Sequence, residues 1–132
     1  NEKDMQFAKE AVANYHGFKD IVWHGDQYRL VNPHDNDMAS IMYVKPDKTR
    51  AIIFNYLVNY RQRLQTSVEP IKLNGLDPSK KYQVKEINLY PGARSWLNPE
   101  KVYSGDFLMK VGFNPLVNLN RTSVVLEVNE MR

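Results

Sequence analysis

At 132 residues and without a cysteine, the chain has the length of one domain, and folding at this size buries roughly two-thirds of the unfolded surface with no need of a disulfide or thiolate-metal staple. The net charge of +3, from 18 Lys and Arg against 15 Asp and Glu, is dispersed. Its closest groupings, Lys45/Lys48/Arg50, Arg61/Arg63 and Lys80/Lys81, stand in or next to expected turns, which excludes a dedicated nucleic-acid stripe. No apolar run approaches the roughly 20 residues of a membrane span. The chain opens Asn1-Glu2-Lys3-Asp4, directly in a helical pattern and with neither signal peptide nor initiator Met, as expected of a piece of a longer protein. Cytoplasmic and periplasmic or secreted compartments both stay open, because an oxidising environment permits disulfides without requiring them.

Asp4 to His16 reads as the one substantial helix. Phe7, Ala8, Ala11, Val12 and Tyr15 recur at helical spacing, with Asp4 as the expected N-cap and Gly17 as the expected stop. From Gln27 the pattern switches to period two. Gln27 to Val31 alternates around Tyr28 and Leu30, and Met38 to Val44 and Ala51 to Val58 form a hairpin across the Pro46-Asp47 turn. Ala51 to Val58 is apolar on both sides, with Ile53 and Leu57 on one and Ile52, Phe54, Tyr56 and Val58 on the other, which suits a central strand with both faces covered.

Further strands are expected at Glu69 to Leu73, Tyr82 to Leu89, Phe107 to Val111 and Ser123 to Val128, separated by Asn74-Gly75, Asp77-Pro78, Pro91-Gly92 and Asn114-Pro115. The apolar phase slips between Tyr82/Val84 and Ile87/Leu89, so a β-bulge is expected near Lys85 and Glu86. The fold expected is therefore all-β: an antiparallel sandwich of Greek-key type, with about 7–8 strands, preceded by one N-terminal α-helix. Tyr90 to Ser104 is the longest irregular stretch.

A search for chemistry finds no reaction centre. No spacing singles out a carboxylate pair, and Asp35, Asn36 and Asp37 follow Pro33-His34 as a solvated loop too poor in ligands for calcium. His16, His24 and His34 lie eight and ten positions apart, which is not metal-ligand spacing on a helix. Ser104-Gly105-Asp106 reads as a tight turn into a strand and lacks the glycines of a nucleophile elbow. The six glycines are too dispersed for a phosphate loop. Asn120-Arg121-Thr122 matches a glycosylation acceptor pattern that carries no weight without a secretory route. Catalytic residues, metal ligands and cofactors are accordingly expected to be absent. The one live alternative is sugar stacking: Trp96 on a loop, with Arg94 and Asn98 beside it, is the candidate carbohydrate-binding set.

Lys19 followed by Gly25-Asp26-x-Tyr28-Arg29-Leu30-x-x-Pro33 resembles the junction at which the last barrel helix of glycoside hydrolase family 36 enzymes, the α-galactosidases, meets their C-terminal domain. Three later segments agree: Arg50-Ala51-Ile52-Ile53-Phe54, then Leu73-Asn74-Gly75-Leu76-Asp77-Pro78 with Tyr82 and Val84, and then Ser104-Gly105-Asp106-x-Leu108-Met109-x-x-Gly112. Val22, and the whole of Tyr90 to Ser104, depart from the family pattern.

The resemblance implies a parent enzyme that removes terminal α-galactose from oligosaccharides by a retaining mechanism, its nucleophile and acid/base both aspartates of the barrel. It implies residues 1–18 as the last helix of that preceding catalytic barrel and 19–132 as a non-catalytic C-terminal β-sandwich. Phe7, Ala11, Val12 and Tyr15 are then the barrel-packing stripe. The partners so implied are the barrel and galactosides, with room for a homo-oligomer of the parent and none for nucleic acid or membrane.

Overall fold

The computed structural model describes residues 1–34, 37–58, 70–117 and 121–131. Its elements in chain order are α1 (Glu2–His24), β1 (Asp26–Val31), β2 (Met38–Val44), β3 (Arg50–Leu57), β4 (Lys81–Ile87), β5 (Val102–Ser104), α2 (Gly105–Lys110) and β6 (Ser123–Glu130). The strands form one antiparallel sheet in the order β1-β2-β3-β6-β4-β5. β3 is central, as its two apolar faces require. Ile53 points into the larger core with Met42, Val84 and Leu126, whereas Ile52 and Phe54 point the other way, under α1.

The second face of the sheet is covered by chain that is mostly not strand. Ile71, Leu73, Leu76, Leu108 and Phe113 close the larger core over β2, β3, β4 and β6. Two expected strands are corrected here. Of Glu69 to Leu73, Glu69 lies outside the described residues and the rest makes only a single bridge, Ile71 to Phe113. Phe107 to Val111 is the helix α2: Ser104 caps it by accepting from the Phe107 N–H at 3.0 Å, and Asp106 pairs with Lys110 one turn on. A serine followed by an acidic first turn is a helix-start signal, and it overrides the short apolar run.

α1 corrects two further expectations. Its N-cap is Asn1, whose side chain accepts from the Asp4 N–H at 3.0 Å, and Gly17 does not end it. A mid-helix glycine costs about 1 kcal/mol relative to alanine. Burying Phe18 and Ile21 against Ile52 and Val125 offsets that several times over, at roughly 1.5–3 kcal/mol for each large apolar side chain. Arg50 adds a polar tie, donating to the Gly17 carbonyl at 2.6 Å and to Glu127 at 2.9 Å. The helix ends at Gly25, whose N–H reaches the Ile21 carbonyl at 2.8 Å. A Cβ there would meet that oxygen at 2.4 Å and the Val44 carbonyl oxygen at 2.6 Å, so only glycine lets the chain turn from α1 into β1 so close to β2.

The expected bulge is absent. β4 pairs with β6 in unbroken register from Tyr82↔Glu130 to Ile87↔Val125, and the irregularity in the sheet lies instead between Arg29 and Val31 of β1. The phase slip has another origin. Tyr82, Val84 and Glu86 share the larger-core face, and Ile87 belongs to the face under α1.

Glu127 shows how polar groups are accommodated on the α1 side. Burial pushes its carboxyl up, but hydrogen bonds from Asn129 and Arg50, with the charges of Arg50 and Lys85, outweigh this and hold it below the ordinary carboxylate range. A depressed folded-state pKa contributes stability that is present above the unfolded value, about 4.3, and is lost as pH falls through the lower folded value. Urea titrations between about pH 5 and pH 3 should therefore show a shallower loss of stability in Glu127→Gln than in the wild type. Parallel curves would remove Glu127 as the acid-sensitive group.

Candidate functional site

Among the described residues no group of three or more His, Cys, Asp or Glu side chains could hold a metal ion, and no helix is long and apolar enough to cross a membrane. His16, His24 and His34 are all exposed and separate. Asp35 and Asn36, and the Asn120 of the glycosylation pattern, lie outside the described residues. An open groove of about 280 Å³ on β1 and β2 is lined, among the described residues, by Arg29, Val31, Pro33, His34, Ala39 and Ile41, none of them a carboxylate.

One buried charge was not anticipated. Glu86, its side chain 4% exposed, is ion-paired with Arg121 and accepts from the Ser95 hydroxyl at 2.8 Å. Its signal in the sequence was the alternation Tyr82, Val84, Glu86, which puts the acid in phase with the core; taking Ile87 as the next core residue concealed it.

Ser95 belongs to the segment carrying the candidate sugar-binding residues. Exposure alternates along it: Arg94, Trp96 and Asn98 are exposed, whereas Ser95 and Leu97 are half-buried. Ser95 is held by Glu86 and in turn accepts from the Leu97 N–H at 3.2 Å, and Asn98 accepts from the Glu100 N–H at 3.0 Å. Trp96, 76% exposed, thus stands between Ser95, held on Glu86, and Leu97, packed on the larger core, with its indole in solvent.

The same segment is fastened to α1. Asn14 donates to the Asn88 side chain at 2.7 Å, the Tyr90 hydroxyl donates to Asp4 at 2.7 Å, and the Phe7 ring lies 5.7 Å from that of Tyr90. Of the barrel-packing candidates, Phe7 and Ala11 are consequently half-buried on the domain's own side. Val12 and Tyr15 are exposed, at 57% and 39%, and Met5 and Trp23 extend the same apolar exposure toward the two ends of α1. Met5, Val12, Tyr15 and Trp23 are spaced by seven, three and eight residues, so they follow one side of the helix.

Residues 38–126 match the family described as the glycosyl hydrolase family 36 C-terminal domain. The chain belongs to that family. Its motifs now have structural reasons. In Leu73-Asn74-Gly75-Leu76-Asp77-Pro78 the two leucines are core, Gly75 takes a φ of +75° beneath the Tyr28 ring, and the Asp77 side chain accepts from Ser79 while its N–H donates to the Tyr82 hydroxyl. Arg50, which opens the central strand, is the tie to α1.

Full-length relatives place the family domain in much longer chains. α-Galactosidase 1 of Pediococcus pentosaceus is 30% identical over 123 residues, covering 92% of this chain and 15% of that one. The crystal structure of the family 36 α-galactosidase AgaB from Geobacillus stearothermophilus superposes with a TM-score of 0.78 at 25% identity, over 99% of this chain and 16% of the other. AgaA of the same organism, solved in complex with raffinose, matches in fold with a TM-score of 0.78 at 24% identity, again over 16% of its length. The family 36 C-terminal domain described here thus spans about 15% of the curated relative.

Proposed function

We propose that this chain is the non-catalytic C-terminal domain of a retaining α-galactosidase that hydrolyses terminal α-galactosides of oligosaccharides, and that it covers and stabilises the catalytic barrel. The observation that carries this reading is the double-sided helix α1. Phe18 and Ile21 are buried on the sheet, while Met5, Val12, Tyr15 and Trp23 leave a second apolar stripe uncovered. The stripe lies on the outer side of the element that would be the barrel's last helix, and the domain boundary proposed at residue 18 falls where α1 begins to be buried on the sheet. Val12 and Tyr15 take the centre of the barrel-facing stripe, with Phe7 and Ala11 at its edge beside Tyr90.

A charge in the stripe separates this reading from its alternatives. Val12→Asp should leave the unfolding of the isolated domain unchanged within about 0.5 kcal/mol, as for an exposed site. In the full-length enzyme it should lower the unfolding midpoint by several degrees and speed proteolysis, because an unpaired carboxylate is buried at the seam. Equal behaviour in both contexts, or a parent gene with no barrel before Asn1, would overturn the proposal.

The alternating exposure of Arg94, Trp96 and Asn98 favours a second reading, a carbohydrate-binding surface. Calorimetric titration of the isolated domain with galactosides is its test: binding abolished by Trp96→Ala supports it, and no heat with the wild-type domain removes it as an independent binding module.

A further inference from the structure

α1 covers only part of the sheet face on which it lies. Register places three rows on that face: Tyr43 beside Ile52, then Ile41 beside Phe54 and Val125, then Ala39 beside Tyr56 toward the end of β3. Phe18 and Ile21 are buried on Ile52 and Val125, and Phe54 marks the flank of the helix, its ring 5.8 Å from that of Phe18. α1 runs across the strands, since its contacts pass from Asn88, just beyond β4, through Ile52 of β3 to Gly25 beside Val44 of β2. The 8 residues of β3 span about 26 Å and a helix is about 10–12 Å wide, so the crossing leaves a strip of roughly one helix width beside α1.

That strip is apolar. Its floor is Ala39, Ile41 and Tyr56, the last 41% exposed, and the groove of about 280 Å³ overlaps it at Arg29, Ala39 and Ile41. The side of α1 that carries Gly17 meets Arg50 at the start of β3. The side that carries Tyr15, about 160° around the helix, therefore overlooks the strip at the other end of that strand.

Helices of a barrel form an outer ring, each packed beside the next at about 8–10 Å. Resting on the reading of α1 as the last barrel helix, we propose that the strip seats a second helix of that barrel, the neighbour of α1 on its Tyr15 side. Such a neighbour runs in the same layer as α1 and one helix width from it, which is where the strip stands. It meets Ile41 and Tyr56 with apolar side chains and Arg29 with a carboxylate. The match to α-galactosidase 1 of Pediococcus pentosaceus spans 15% of that protein, so most of the relative's chain lies outside the matched domain and can supply such a helix. The sheet then grips the barrel directly as well as through α1.

The chain has no cysteine, so single thiols placed in it report on each surface in the full-length protein. Val12→Cys probes the outward stripe and Tyr56→Cys the strip. Lys72→Cys is the control, an exposed position between Ile71 and Leu73 of the layer that closes the larger core, across the sheet from α1. Alkylation of the native protein, read by mass spectrometry of the peptides concerned, should be about tenfold slower at positions 12 and 56 than at 72, as for groups reached only when packed surfaces open. A photo-crosslinker on Tyr56→Cys should join that position to a peptide preceding Asn1 in the same polypeptide. Alkylation at 56 as fast as at 72, with 12 protected, would overturn the second seat and leave the reading of α1 standing. A cross-link to residues 1–132, or to a second copy of the chain, would overturn the barrel helix as occupant. Fast alkylation at 12 would overturn the reading beneath, and the seat with it.

Discussion

Replacing Arg121 with methionine destabilises the domain by about 3–5 kcal/mol, the scale expected when one partner of a buried ion pair is removed. Glu86 sits on the core face of β4 with a side chain 4% exposed, and Arg121 is itself only 16% exposed. Without the guanidinium, the carboxylate keeps one donor among the described residues, the Ser95 hydroxyl, on the strand face that also carries Val84. The double variant Glu86→Leu/Arg121→Met should recover most of the loss, because the cost of keeping charges out of water disappears with the charges. Urea unfolding of the wild type, both single variants and the double variant closes the cycle. A loss below about 1 kcal/mol in Arg121→Met would mean that water reaches Glu86 and that the pair is an ordinary surface contact. The consequence reaches function through Ser95: the acid that anchors the Trp96 loop is the acid that Arg121 neutralises, so a loosened pair should also loosen that loop.

The strands that alternate strongly were legible in the sequence because their side-chain period is fixed by the pleat. β1, β2, β3 and β6 fall within one or two residues of the expected segments, and Ile52 and Ile53 announced that β3 would be covered on both sides. Failures came where a local signal and a tertiary contact disagreed. Gly17 has the sequence appearance of a helix stop, but α1 continues because Phe18, Ile21 and the Arg50 tie lie beyond it. Ser104 has the sequence appearance of a turn residue, but its hydroxyl caps α2. The Tyr82 to Leu89 phase slip has the sequence appearance of a bulge in a strand with one core face, but Ile87 serves a second, smaller core. Of the candidate surfaces, the composition of each was visible and the attachment was not. Nothing in the spacing of Asp4, Asn14, Asn88 and Tyr90 says that they meet, since partners 74 and 86 positions apart are joined only by the topology.

Phe18→Ala should detach α1 from the sheet and leave the sheet folded. Phe18 is 4% exposed and packs edge-on against Phe54 and Tyr15, with ring centroids 5.8 Å away in both cases. Truncating a buried phenylalanine costs about 3–5 kcal/mol in transfer and cavity terms. The core that would bear this loss is small, with Ile21, Ile52 and Val125 as its other buried members. The larger core on the opposite face, built around Ile53, Tyr82 and Leu126, does not include Phe18 and can still fold cooperatively. Hydrogen exchange is the decisive measurement: amides of α1 should lose protection in Phe18→Ala while those of β3 and β6 keep it. Uniform loss of protection across helix and sheet would show instead that the two cores form a single cooperative unit. On the proposed reading of a full-length enzyme the same substitution separates two roles of α1, because Val12 and Trp23 of its outward stripe lie outside the core that Phe18 closes, although Tyr15 loses one ring contact. If α1 is the last helix of a barrel, as proposed, the barrel would retain that helix while the sheet lost its hold on it. The resulting loss of thermal stability then measures what docking the sheet on that helix contributes to the enzyme.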